Sequence, residues 1–178
     1  MHATAITDDG RFELRRPGSK SEWAAYHSIR ERSFYVPFGL DKIMGPYDPA
    51  FPDQYRDEYT PLVLIRNGIV VGTLGLQDMG DGVVQVRAVG VEPACQHRGY
   101  GTIMISLAED LARRHGFTRA WVYSDESAVM FYARNAYTHG AARTIEIPDC
   151  PLPGAVILAK RLTQGLMRPS PDVLIAAA

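Results

Sequence analysis

Residues 83–124 constrain the fold more tightly than any other part of the chain. VVQVRAVGV, Val83 to Val91, reads as a strand, and CQHRGYG, Cys95 to Gly101, turns on two glycines. From Thr102 to His115 the apolar residues Ile103, Met104, Leu107, Ala108 and Leu111 recur with the period of an amphipathic helix. Gly116 stands where a helix-ending glycine should, and TRAWVYS, Thr118 to Ser124, reads as another strand. A strand, a helix and a strand in that succession predict a right-handed crossover between two parallel strands. The helix opens almost without a polar cap. An uncapped N-terminus leaves N–H groups and a partial positive charge unmatched, and glycine lets an anion come close to such a backbone. Gln96, His97 and Arg98 add side-chain donors and Thr102 a hydroxyl, a set that suits a pyrophosphate. From the glycines alone, a tight turn built for steric reasons reads equally well.

The surrounding segments predict the rest of the domain. SKSEWAAYHSIRERSF, Ser19 to Phe34, is a first helix, with Ser19 or Ser21 as its cap and Glu22 placed as in a capping box. The proline-rich stretch Val36 to Pro61 is irregular, with one short helix possible in DQYRDEY. PLVLIRNGIVVGTLGLQ predicts a hairpin turning at Asn67-Gly68 in a type I′ turn. Val83–Val91 is then the third strand of a meander. Gly90, near its end, is a local weakness, a bulge or a close backbone approach. SAVMFYARNAY, Ser127 to Tyr137, is a second amphipathic helix, and strands are expected near His139–Ile147 and Ala155–Leu162. Residues 1–162 read as one domain and residues 163–178 as a C-terminal tail, in a chain of 178 residues without internal repeats.

Composition narrows the function classes. A net charge of −1 gives no general attraction to nucleic acid or to an anionic membrane, so neither is expected as a partner. No apolar run reaches the roughly 18–20 residues of a membrane span, and MHATAITDDGRFELRR has no apolar signal core, so a cytoplasmic protein is expected. Two cysteines, Cys95 and Cys150, imply neither a disulfide framework nor a zinc site, and His2, His27, His97, His115 and His139 show no ligand spacing, so no metal is expected. There is no GxxxxGK[ST], no GxGxxG with a following acid, no GxSxG and no HExxH.

Gln96-His97-Arg98-Gly99-Tyr100-Gly101 matches the Q/R-x-x-G-x-G/A signature, with Val89-Gly90-Val91 before it and Phe131-Tyr132 on a later helix. In this the chain resembles the GNAT N-acetyltransferase superfamily over the whole order of elements from about Ser19 to Leu162. The resemblance implies an α/β (α+β) fold: a mixed, twisted, mostly antiparallel sheet of six to seven strands with about four helices. Two parallel strands, here Val83–Val91 and Thr118–Ser124, would splay apart and hold acetyl-CoA as co-substrate in the V between them. The backbone of Val89 and Val91 would pair with the pantetheine arm, Gly90 would fit the bulge that opens the sheet, and the N–H groups from Gln96 through His97, Arg98, Gly99, Tyr100, Gly101 and Thr102 would cradle the pyrophosphate. The cofactor's phosphates would then stand in for the missing helix cap. Two departures stand out. Asp125 occupies the place where the family often has an asparagine that contacts the cofactor near the end of the second parallel strand; the resemblance implies a cofactor contact there, although a carboxylate accepts but does not donate unless protonated. Ala136-Tyr137 replaces the family's GF after the second helix, with Asn135 before it.

Acetyl transfer to a primary amine needs a deprotonated nucleophile, a polarised thioester carbonyl and a proton for the leaving thiolate. The amide N–H of Val89 suits the carbonyl, and Tyr132 resembles the family's general acid. The same tyrosine also reads as a packed aromatic. No carboxylate lies within Val83–Val91, where relatives often carry the base; Arg87 lies inside it as a structural or acceptor-facing charge, Glu92 lies past the strand near the turn, and Asp57, Glu58 and Asp78 qualify on chemical type only, so a water relay is expected. The acceptor should meet residues from Arg30 to Tyr59 and from Arg143 to Gly154. The aromatics and acids of the first stretch (Phe34, Tyr35, Phe38, Tyr47, Tyr55 and Tyr59 with Asp41, Asp53, Asp57 and Glu58) suit a cationic amine or simply anchor a long loop. The expected partner is a small-molecule or peptide amine, and the apolar end VLIAAA suits either its own domain or a homodimer contact. The other readings are transfer of a different acyl group, such as succinyl, and a non-catalytic acyl-CoA-binding sensor or assembly module.

Overall fold

The computed structural model describes residues 1–50, 57–142 and 154–162. Seven strands form one sheet whose spatial order is the order of the chain. The strands are β1 (His2–Thr7), β2 (Gly10–Arg15), β3 (Tyr59–Arg66), β4 (Ile69–Asp78), β5 (Val83–Val91), β6 (Arg119–Ser124) and β7 (Val156–Arg161). Every neighbouring pair is antiparallel except β5 and β6. The parallel pair is joined by α3 (Tyr100–Arg114), as the strand–helix–strand succession requires. The β3–β4 hairpin turns at Asn67 (φ 47°) and Gly68 (φ 86°), both left-handed as a type I′ turn demands.

The β1–β2 hairpin was not expected from the sequence. Its patterning is weak: in β1 only Ala3 is buried, while β2 buries Phe12 and Leu14. The expected strand near His139–Ile147 is also corrected. His139–Ala142 forms a short helix, α5, and only Thr138 bridges to Ala159 of β7; residues 143–147 lie outside those described. The tail at 163–178 likewise lies outside them.

The first helix, α1 (Lys20–Arg30), is capped by Ser19, whose Oγ accepts the Glu22 N–H at 3.2 Å. The Glu22 carboxylate reaches back to the Gly18 N–H at 2.6 Å and pairs with Arg15 at 2.7 and 2.9 Å. The helix runs on through a π-helical turn, Glu31–Tyr35, and a short α2 (Leu40–Met44) follows. Beyond β6 a 3-10 turn, Glu126–Ala128, leads into α4 (Val129–Arg134). No helix among the described residues is long and apolar enough to cross a membrane.

Strand alternation divides the sheet into two chemically different faces. Val84 and Val86 of β5 and Ala120 and Val122 of β6 join Met104, Leu107 and Leu111 of α3 in the main core. Val83 and Trp121 belong to a separate cluster with Ala159, and Tyr26 of α1 packs with Val63 and Ile65. On α3, Glu109 is only 5 % exposed and accepts Lys160 Nζ of β7 at 2.7 and 2.8 Å, with Arg113 at 3.1 Å.

Gly75 shows how tightly the α1 side is packed. A Cβ there would lie 2.0 Å from the Tyr59 hydroxyl oxygen and 2.1 Å from its Cζ. That hydroxyl receives Arg30 Nη1 at 2.8 Å and lies 3.2 Å from the Tyr26 hydroxyl, which takes the same Arg30 nitrogen at 2.7 Å. Gly75→Ala must therefore move the ring and break the cluster. A loss of about 1–3 kcal/mol is expected, read as a lower denaturation midpoint with an unchanged m-value.

Candidate active site

The parallel strands pair over only three residues of each: Val83 with Arg119, Val84 with Ala120 and Gln85 with Trp121. β6 goes on pairing with β7 as far as Ser124, but beyond Gln85 no described residue continues the ladder on that side of β5. The result is a V-shaped opening with Gln85 and Trp121 at its apex. A bulge turns β5 away. The register steps from Thr73↔Gly90 to Gly75↔Arg87, so that Ala88 and Val89 together oppose Leu74. Ala88 carries the left-handed φ, 47°. The expected bulge at Gly90 is thus corrected. Gly90 sits in the ladder, and its missing side chain serves close approach: a Cβ there would lie 3.1 Å from Ser33 Cβ in the turn after α1.

At the end of β5 the Val91 carbonyl accepts both Ser33 Oγ (2.8 Å) and Gln96 Nε2 (3.1 Å). The Glu92 N–H bonds to the Val71 carbonyl at 2.9 Å. Val91 and Gly72 therefore form a non-hydrogen-bonded pair, and the Val91 N–H faces away from β4. Of Val91 this leaves the N–H, rather than the carbonyl, open to a ligand along the strand edge.

The chain then makes a 3-10 turn, Pro93–Cys95, and enters α3 through two left-handed residues, His97 (φ 60°) and Gly99 (φ 78°). Gly99 occupies the cap position and no side chain caps the helix. The first bond into the helix is that of Ile103 N–H to the Gly99 carbonyl at 3.1 Å. The N–H groups of His97 through Thr102 have no acceptor among the described residues. The two glycines do different work. A Cβ on Gly99 would meet nothing within 4 Å, so that face of the loop is open, whereas one on Gly101 would lie 3.0 Å from the Phe131 ring. Gln96, His97, Arg98 and Thr102 are exposed. Tyr100 is turned inward against Phe12 at 5.1 Å, with Arg66 over its ring at 5.4 Å, and can offer a ligand only its backbone.

Asp125 caps the segment that carries Tyr132. Its Oδ1 accepts the N–H groups of Ser127 (2.7 Å) and Ala128 (3.1 Å) and the hydroxyl of Ser127. Tyr132 is 6 % exposed, and its hydroxyl has no hydrogen-bond partner among the described residues. Burial pushes the phenol's pKa upward, and the Asp125 carboxylate adds to the shift, so the hydroxyl keeps its proton throughout the neutral range.

Tyr132 and Asp125 line a cavity of about 750 Å3. Its described lining includes Gln77 of β4, Gln85 to Val89 of β5, Trp121 and Tyr123 of β6, and Ser33, Phe34, Pro37, Phe38 and Ile43 from the stretch after α1. Of the carboxylates considered as bases, none lines it. Glu92 pairs with Arg32 at 2.9 Å, Asp78 accepts the Gly80 N–H at 2.8 Å, and Asp57 and Glu58 are exposed elsewhere. Asp41 is not in the lining either, and Asp53 lies outside the described residues, as do Tyr55 and most of the 143–154 stretch expected at the acceptor side. Gln77, Gln85 and Trp121 escaped the sequence reading; for Gln85 alone a signal was present, a polar residue two before Arg87 in VVQVR. Among the described residues no group of His, Cys, Asp and Glu could hold a metal.

A family model described as acetyltransferase (GNAT) family matches residues 23–137, and the chain belongs to that family. It is an acyltransferase of the GNAT type. Solved structures agree in fold. A protein from Lactobacillus plantarum assigned as an N-acetyltransferase is 23 % identical, with a TM-score of 0.64 over 85 % of this chain and 98 % of that one. The PaiA N-acetyltransferase of Thermoplasma acidophilum, crystallised with coenzyme A, is 14 % identical, with a TM-score of 0.64 over 84 % and 98 %. The N-acetylglutamate synthase of Neisseria gonorrhoeae, crystallised with coenzyme A and L-arginine, is 17 % identical, with a TM-score of 0.63 over 86 % of this chain and 34 % of that longer one.

Proposed function

We propose that this acetyltransferase moves an acetyl group from acetyl-CoA directly onto a primary amine. The observation that carries the reading is the run of acceptor-free N–H groups from His97 to Thr102 at the uncapped start of α3. Gly101 in that run packs against Phe131, the neighbour of Tyr132, and Tyr132 lines one cavity with Val89 of the open β5 edge. The unmatched N–H run at a helix N-terminus, with Gly99 open in front of it, fits a pyrophosphate. The Val91 N–H and the bulged backbone at Val89 fit an amide-bearing arm lying where the next strand would be. Coenzyme A in the crystals of similar proteins supports the same ligand.

Bound there, acetyl-CoA supplies an acyl group as a thioester, and transfer breaks its C–S bond as a C–N bond to the amine forms. The amine must first lose a proton, and water takes it, since no described carboxylate in the lining is available: Asp125 is engaged as a cap. The Val89 N–H polarises the carbonyl. Tyr132 gives its proton to the departing sulfur and recovers one from solvent. Its raised pKa keeps the donor loaded at neutral pH. The reading is tested by thiol release from acetyl-CoA across a panel of amines, with CoA titrated separately. CoA binding without acetylation of any amine would overturn the transfer step.

Arg98 supplies a sharper test of the phosphate cradle. It is exposed and makes no ion pair among the described residues. Arg98→Ala is expected to weaken CoA by about ten-fold, the usual worth of a charge-assisted hydrogen bond, and to leave pantetheine unaffected. Equal losses for both ligands would place Arg98 away from the phosphates.

A further inference from the structure

The helix that covers the sheet near the end of β5 does not stop as an ordinary α-helix. The Val36 N–H bonds to the Glu31 carbonyl at 3.0 Å, five residues back, so that Glu31–Tyr35 makes one π-helical turn. A single turn of this kind is rare and occurs frequently at functional sites. This turn and the residues after it bring Ser33, Phe34, Pro37 and Phe38 to the cavity, the two phenylalanine rings 4.8 Å apart. Among the described residues two side chains of the turn are tied to the end of β5. Arg32 Nη2 meets the Glu92 carboxylate at 2.9 Å, but the arginine is 51 % exposed, and an exposed pair contributes little. The other tie is half-buried: Ser33 Oγ donates to the Val91 carbonyl at 2.8 Å. Ser33 reaches that carbonyl because Gly90 leaves the space; a Cβ there would also lie 3.8 Å from Ile29 Cγ2 of α1.

The peptide that Ser33 grips is a junction. Its carbonyl, that of Val91, also receives Gln96 Nε2 from the loop before α3, and its N–H, that of Glu92, goes to the Val71 carbonyl of β4. The peptide one step earlier presents the open Val91 N–H along the strand edge. One short stretch of backbone therefore joins the turn at the cavity, the loop at the helix start and the edge where the transfer reading lays the pantetheine arm. We propose that Ser33 is a positioning residue for the transfer: through the Val91 carbonyl it fastens the turn carrying Phe34 to the strand on which CoA lies, so that CoA binding orders that turn. The proposal rests on the transfer reading for its ligand. An arm bonded to the Val91 N–H immobilises the end of β5, and a turn fastened there loses motion with it. The coupling is reciprocal, so an amine held against the ordered turn tightens CoA by the same factor.

The test is amide hydrogen exchange of Val36, Phe38 and Gly39, whose N–H groups bond to the Glu31, Phe34 and Val36 carbonyls within this segment. It is followed with and without saturating CoA in the wild type, Ser33→Ala and Arg32→Ala. In the wild type CoA is expected to slow these amides about five-fold, the equivalent of one typical hydrogen bond. In Ser33→Ala that slowing is lost although CoA, titrated by calorimetry, still binds; in Arg32→Ala it is kept. On the best amine of the panel, Ser33→Ala is expected to raise KM for the amine and lower kcat, with KM for acetyl-CoA little changed. A merely structural serine would lower Tm and leave the amine kinetics as they are. Exchange in the turn that ignores CoA in the wild type, slowing that survives Ser33→Ala or vanishes in Arg32→Ala, or unchanged amine kinetics in Ser33→Ala overturns the proposal. Failure of the transfer reading shows separately: CoA slows the turn through Ser33, and no amine is acetylated.

Discussion

Tyr132→Phe is expected to lower kcat by about 100- to 10,000-fold, the range for loss of one positioned proton donor, while CoA affinity and Tm stay close to wild type. The ring fills the same space, packed at 5.7 Å against Tyr137, and the deleted hydroxyl makes no hydrogen bond among the described residues, so little stability goes with it. A purely structural tyrosine would behave in the opposite way, with near-normal turnover. The measurement is kcat on the best amine of the panel beside a CoA titration of the same preparation. Turnover within a few-fold of wild type in a folded variant would remove Tyr132 from the mechanism and leave water as the donor to sulfur.

Glu109→Ala is expected to destabilise the protein by about 3 kcal/mol, the lower end of what breaking a buried pair costs. The carboxylate is 5 % exposed and holds Lys160 and Arg113, whose side chains are 21 % and 25 % exposed. Removing it leaves Lys160 without its carboxylate, while Arg113 keeps Asp110 at 2.6 Å; that remaining pair and the partial access of both charges to water keep the loss from being larger. Glu109→Gln keeps the volume and part of the hydrogen bonding and should fall between. Urea unfolding measures both; a midpoint for Glu109→Ala indistinguishable from wild type would mean that the cluster contributes nothing net. CoA binding should survive, since Glu109 lies on α3 well past the loop at its start.

The crossover and the β3–β4 hairpin were legible because each rests on local chemistry: a 3.6-residue period closed by Gly116, and two left-handed positions at Asn67-Gly68. The uncapped start of α3 was legible for the same reason. What failed depends on contacts remote in sequence. Gly90 advertised a backbone peculiarity, but the left-handed residue is Ala88, held there by the register on β4, while Gly90 makes room for Ser33, nearly sixty residues earlier in the chain. The β1–β2 hairpin was invisible because an exposed edge strand has little to bury and so little pattern to show. His139–Ala142 passed for a strand on composition, and no local signal distinguishes a single helical turn from one. The polar part of the cavity lining was hidden differently. Arg87 already reads from the sequence as a structural or acceptor-facing charge, whereas Gln85 joins it only once the neighbours on β4 and β6 give the two a shared face.

The short seam between β5 and β6 has a mechanical meaning. Strands β1 to β5 form one antiparallel block and β6 with β7 another, and the sheet joins them through three residue pairs. Every other joint carries a longer ladder. Across this seam the two blocks are held less by strand pairing than by the core that α3 shares with both, and by the Glu109–Lys160 pair between α3 and the far block. A molecule lying in the V along the free edge of β5 acts as a temporary strand. Amide exchange in β6 and β7, measured with and without CoA, is expected to report whether such a molecule adds to the hold between the blocks.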